Sequence, residues 1–83
     1  MRKNVKILGI GQSVSGTSAK TGKAYAFTPV SFAYHDDQFH GFKAETCNFD
    51  SNMILEHGGI KVEDQLDIVF HYANFRPVVD AIL

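Results

Sequence analysis

The chain has 83 residues, 45% of them hydrophobic and 20% charged, with a net charge of −1. That length suits one small domain over residues 1–83. It excludes a doubly wound dinucleotide fold, an α/β barrel or a multidomain enzyme, each of which needs roughly twice as many residues or more. A net charge near zero argues against a generic polybasic binder of nucleic acid or membrane, yet the charge is polarised: residues 1–23 sum to +5 and residues 24–83 to −6.

Val5 to Ile10 is rich in β-branched residues and runs on through glycine to Val14 as a first strand. Ser15 to Lys23 is small, polar and basic, the composition of a flexible loop. Ala24 to His35 predicts one long strand. Tyr25 and Phe27 alternate on one parity and Val30, Phe32 and Tyr34 on the other, so the strand is expected to change faces at Thr28-Pro29, with a bulge or an edge position at the proline. Asp36-Asp37-Gln38 is a turn, and Phe39 to Phe49 a third strand with Phe42, Ala44 and Thr46 on one face. Asp50-Ser51-Asn52 breaks it. Met53 to Glu56 fits a single helical turn ending at His57-Gly58-Gly59. Gln65 to Tyr72 is the cleanest amphipathic strand, with Leu66, Ile68, Phe70 and Tyr72 inward and Asp67 and His71 outward. Ala73-Asn74 is a tight turn, and Phe75 to Ile82 closes the chain as a fifth strand. The fold expected is all-β: a small five-stranded OB-like barrel, partly open, with an extended basic hairpin loop. An SH3-like barrel is the competing pattern.

Several chemistries find no support. Gly9-Ile10-Gly11 imitates a phosphate-binding glycine motif, but no helix can begin in Ser13 to Thr17, so the glycines serve strand bending. His35, His40, His57 and His71 show no zinc spacing, so no metal is expected. The single cysteine, Cys47, cannot form an intrachain disulfide and reads as a buried thiol. No serine or cysteine stands in a motif with a base and an orienting acid, and no carboxylate pair stands out. The expectation is therefore no enzyme and no cofactor. The apolar run Val5 to Gly11 is too short to span a membrane, and a cytoplasmic protein without a membrane partner is expected.

The informative stretch is Gly16 to Phe27. Lys20 and Lys23 can neutralise phosphates. Tyr25 and Phe27 share a strand face about 7 Å apart and can act as successive stacking platforms. A basic track beside π-faces is what single-stranded nucleic acid requires. The competing interpretation makes the two rings barrel core and the lysines a means of keeping the loop soluble.

At this stretch the chain resembles the single-stranded DNA-binding proteins of filamentous bacteriophages, the gene V protein family. Gly16-Thr17-Ser18-Ala19-Lys20, then Gly22-Lys23-Ala24-Tyr25-Ala26-Phe27, looks like that family's basic wing leading into its aromatic second strand. Asn74-Phe75-Arg76-Pro77 looks like a late hairpin turn in some members, and the strand layout is similar over residues 5–82. The resemblance implies an OB-like barrel, a homodimer, and cooperative, sequence-tolerant binding of single-stranded DNA in phage or plasmid-type replication, with RNA left open as a ligand. It implies Lys20 and Lys23 at phosphate, Tyr25 as the stacking tyrosine with Phe27 as its apolar neighbour, Tyr34 as a further aromatic, and Phe75 or Arg76 reaching DNA or a partner subunit. The chain departs from the family in ending Asp80-Ala81-Ile82-Leu83, where basic residues are usual. The alternative function is a small β-barrel module that binds protein through the same aromatics.

Overall fold

Strand β1 (Arg2–Ile10) is the axis of the architecture. A computed structural model describes residues 1–83. The further elements are β2 (Val14–Thr17), β3 (Ala24–His35), β4 (Phe42–Asp50), α1 (Ser51–His57), β5 (Gln65–Ala73) and β6 (Arg76–Ile82). β1 pairs with β3 through Lys6–Ile10 and with β5 through Arg2–Lys6. β4 lies on the other edge of β3, and β6 on the outer edge of β5. Every one of these pairings is antiparallel.

The fold corrects the barrel expectation. There are six strands, not five, and the sheet does not close. It curls until β4 and β6 lie side by side, but no backbone pairing joins them. Helix α1 packs against β3, β4 and β6 at one end of that seam. Its Met53 and Ile54 cover the core there, occupying space that a closing strand pair would need. Asp50 caps the helix by accepting a hydrogen bond from the Asn52 amide at 2.9 Å, and Gly58, at φ +100°, ends it. The expected single turn is therefore a seven-residue helix.

The core comprises Val5, Ile7, Val30, Phe32, Tyr34, Phe49, Ile68, Phe70 and Val79. Phe32 packs edge-on against Phe49 and Phe70 at ring separations of 5.9 and 6.0 Å. Leu66 is only half-buried beside this cluster, and Cys47 likewise, so neither is the buried residue expected. Tyr72, expected inward, is exposed.

Strand β3 does not change faces. It is one unbroken strand, in register with β4 from Phe27 to His35. Even positions from Thr28 to Tyr34 point inward throughout. Tyr25 and Phe27 point outward because the core ends at Thr28. The bulge expected at Pro29 lies instead on β1, where Leu8 is the additional residue between the Ile7–Phe32 and Gly9–Ser31 pairs. Pro29 sits where the partner of β3 changes from β1 to β2. Its carbonyl accepts from the Gly11 amide at 2.7 Å, and its missing N–H falls in the gap between those two strands.

Candidate nucleic-acid interface

The segment expected to be a loose loop is half strand. Val14, Ser15, Gly16 and Thr17 pair with Phe27, Ala26, Tyr25 and Ala24 to form a two-stranded ribbon. The connection at its tip is held by its own backbone. Ser18 N donates to Lys23 O at 2.9 Å, and Gly22 N to Ser18 O at 2.8 Å. Gly22 takes φ +68°, which glycine adopts without a Cβ penalty. At this tip Lys20 and Lys23 are exposed, and neither enters a salt bridge.

On the outer face of the ribbon the Tyr25 ring stacks on Phe27, with centroids 5.9 Å apart and planes 18° from parallel. Tyr25 is 44% exposed, and Phe27 is half-buried. Gly16, directly opposite Tyr25, makes this possible. A Cβ at position 16 would lie 2.7 Å from the Tyr25 hydroxyl oxygen and 2.9 Å from Cζ. The tyrosine therefore lies flat across β2 over a bare backbone. The sequence carries no signal for this role of Gly16, because residues 15–17 have the composition of a loop; it follows only from the pairing of β2 with β3.

The structure brings Lys20, Lys23, Tyr25 and Phe27 together on one ribbon. Tyr34 does not join them. It is 1% exposed and stacks on Phe32 in the core, so its ring is closed to any base. Its hydroxyl is 2.9 Å from that of Tyr72. The Tyr72 proton goes to Glu45 Oε1 at 3.0 Å, so Tyr34 is the donor between the two phenols. Lys43 Nζ completes the group, donating to Tyr72 at 3.3 Å and lying 3.3 Å from Glu45. Burial first, then the Tyr72 hydroxyl, pushes the Tyr34 phenol above its ordinary range. The Tyr72 and Glu45 hydrogen bonds raise Lys43 likewise. Burial, with Glu45 close by, pushes the Cys47 thiol up to about 11, so it stays protonated and unreactive at neutral pH.

Phe75 and Arg76 stand apart, on the β5–β6 hairpin. Asn74 and Phe75 form its two-residue connection at φ +52° and +63°, one residue later than the expected Ala73-Asn74 turn. Phe75 is fully exposed. Between this hairpin and residues Glu45–Asn48 of β4 lies a cleft of about 950 Å³, the unfilled part of the open seam. No group of three or more His, Cys, Asp or Glu side chains is placed to hold a metal ion, and no helix is long and apolar enough to cross a membrane.

Comparison of the chain with protein-family models, with curated proteins and with solved structures gives no match.

Proposed function

We propose that the protein binds single-stranded DNA with little sequence preference, using the β2–β3 ribbon as its contact surface. The carrying observation is the Tyr25 ring, laid flat over Gly16, stacked on Phe27 and outside the hydrophobic core. A ring in that position adds little to the core and offers a π-face to solvent. Base–aromatic stacking contributes roughly 1–3 kcal/mol per base and tolerates any sequence, so RNA would be accepted on the same platform. Lys20 and Lys23, unpaired at the ribbon tip, supply phosphate neutralisation beside the platform. A homodimer docked through β5 and β6 belongs to the same proposal. Val78 is exposed beside His71 on the outer face of the β5–β6 pair, an apolar group that a two-fold contact there would cover. Such a module would coat DNA during phage or plasmid-type replication.

The test is Tyr25→Ala, measured by anisotropy of a fluorescent oligothymidine and by thermal melting. The proposal expects affinity to fall about fivefold to a hundredfold with the fold intact. An unchanged affinity removes Tyr25 from the interface.

A further inference from the structure

We propose that helix α1 sets the angle of the β2–β3 ribbon through Thr28, a positioning residue whose buried hydroxyl joins Ser13 at the ribbon's root to Ser51 of the helix. This rests on the single-stranded DNA reading of the ribbon and concerns what aims it.

The sheet itself does not aim the ribbon. β1 leaves β3 at the Ile10–Val30 pair, and β4 leaves it at the Asp50–Phe27 pair. Beyond Phe27, β3 has β2 alone as its neighbour. A two-stranded ribbon is marginal by itself and twists over a wider range than strands inside a sheet. It is also a lever. Along β3 and its extension, Lys23 lies about 17 Å out from Thr28 at the rise of an antiparallel strand. A tilt of about 10° at the root therefore moves the tip by about 3 Å, as far as a hydrogen bond reaches.

The root is fastened at one point. Thr28 Oγ1 lies 2.8 Å from Ser13 Oγ and 3.0 Å from Ser51 Oγ. Ser13 belongs to the connection between β1 and β2, and Ser51 opens α1. A hydroxyl has one proton, so Thr28 donates to one serine and accepts from the other. Thr28–Ser51 is the only side-chain hydrogen bond between residues 11–28 and the rest of the chain. Gly11 holds the same connection against β3. Its amide donates to the Pro29 carbonyl at 2.7 Å, and a Cβ on it would stand 3.1 Å from the Pro29 Cβ. Connection and β3 therefore move as one body, and Thr28 ties that body to α1, which is itself packed against β3, β4 and β6.

Thr28 is not what packing alone asks for. It is the one buried polar residue of the chain, on the face that bears Val30, Phe32 and Tyr34. Valine has the same shape and would put a methyl group where the hydroxyl stands. A buried hydroxyl costs free energy unless it is hydrogen-bonded. What threonine supplies at this place, and valine does not, is the joint between the connection and the helix.

The experiment compares Thr28→Val, Thr28→Ser and Ser51→Ala with wild type and Tyr25→Ala, by oligothymidine anisotropy, thermal melting and backbone dipolar couplings of the free protein. Thr28→Val keeps the shape and loses the hydroxyl; Thr28→Ser keeps the hydroxyl and loses a methyl group. Melting and binding should rank these two in opposite orders. Thr28→Ser should melt lower than Thr28→Val and bind like the wild type. Thr28→Val and Ser51→Ala should each bind roughly twofold to tenfold more weakly, because one hydrogen bond no longer holds the ribbon at its productive angle. The double variant should lose no more than Thr28→Val. Dipolar couplings of Ser15–Thr17 and Tyr25–Phe27 should fit the orientation of the core in the wild type and in Thr28→Ser, and be averaged in Thr28→Val. Wild-type affinity in Thr28→Val, with Tyr25→Ala weakened, overturns the positioning role and leaves the ribbon in place. Equal losses in Thr28→Val and Thr28→Ser assign the effect to packing and overturn it too, as do unchanged couplings in Thr28→Val. No oligothymidine binding by the wild type overturns the ribbon reading and the positioning role together.

Discussion

Gly16→Ala is a sensitive probe of the platform because it alters neither a charge nor an aromatic ring. The new Cβ would lie 2.7 Å from the Tyr25 hydroxyl oxygen and 2.9 Å from Cζ, where ordinary contacts begin at 3.4 Å. The crowded atoms are the far end of a side chain, so the ring must swing by about 0.7 Å, from 2.7 to 3.4 Å, while the backbone stays in place. Gly16 is not at positive φ, so alanine fits the strand. Reduced freedom of the unfolded chain adds about 0.4–1 kcal/mol of stability. Loosening the Tyr25–Phe27 stack removes about 0.5–1.5 kcal/mol. The two nearly cancel, and the melting temperature should move little. The flat π-face is lost, so oligothymidine affinity should fall by about 1–3 kcal/mol, the contribution of one stacked base. Anisotropy and thermal melting on the same preparation check both halves, and the aromatic NMR resonances of Tyr25 report the ring's displacement. Wild-type affinity in a variant whose Tyr25 resonances have moved would refute the stacking role.

Phe70→Ala should behave in the opposite way. Phe70 is fully buried against Phe32 and Tyr34, so truncation should cost about 3–5 kcal/mol in a denaturant titration, whereas Tyr25→Ala should cost about 1. Lys20→Ala and Lys23→Ala should each make the dependence of log K on log salt shallower by about 0.7 and leave melting unchanged. Asp67 accepts from Arg2 at 2.8 Å and from Asn4 at 2.9 Å, and these bonds hold its carboxyl below the ordinary range. A depressed folded-state value makes the stabilisation complete above the unfolded pKa of about 3.9 and lost as pH falls through the folded value. The melting temperature should therefore fall on acidification below about pH 4, and Asp67→Asn should remove part of that fall. Sedimentation at tens of micromolar protein should give a dimer, and Val78→Lys on the outer face of β6 should shift it toward monomer.

Strand content was legible because alternation survives in the folded chain: Ile68 and Phe70 are buried as their parity requires. Parity also separated Tyr34 from Tyr25, since Tyr34 shares its face with Val30 and Phe32. The family resemblance drew it toward DNA, and parity was the better guide. β2 was hidden because Ser15, Gly16 and Thr17 have the composition of a loop. Their strand character comes from pairing with Tyr25 and Ala24, a tertiary effect. The open seam was not legible at all. Whether β4 and β6 share hydrogen bonds depends on how far the sheet curls and on what α1 fills, and no local pattern encodes either. Nor does sequence announce a phenylalanine at positive φ, so the hairpin turn was placed one residue early. The candidate site was half legible: its residue types and spacing stood in the chain, while the Gly16 bed appears only through register.

Whether the ribbon binds single-stranded DNA is decided by titrating a fluorescent oligothymidine with the wild-type protein at two salt concentrations. Saturable binding at low salt that weakens as salt rises is expected, with log K falling by about 0.7 per phosphate neutralised. Absence of binding at low salt, or binding indifferent to salt and to Tyr25→Ala, would contradict it.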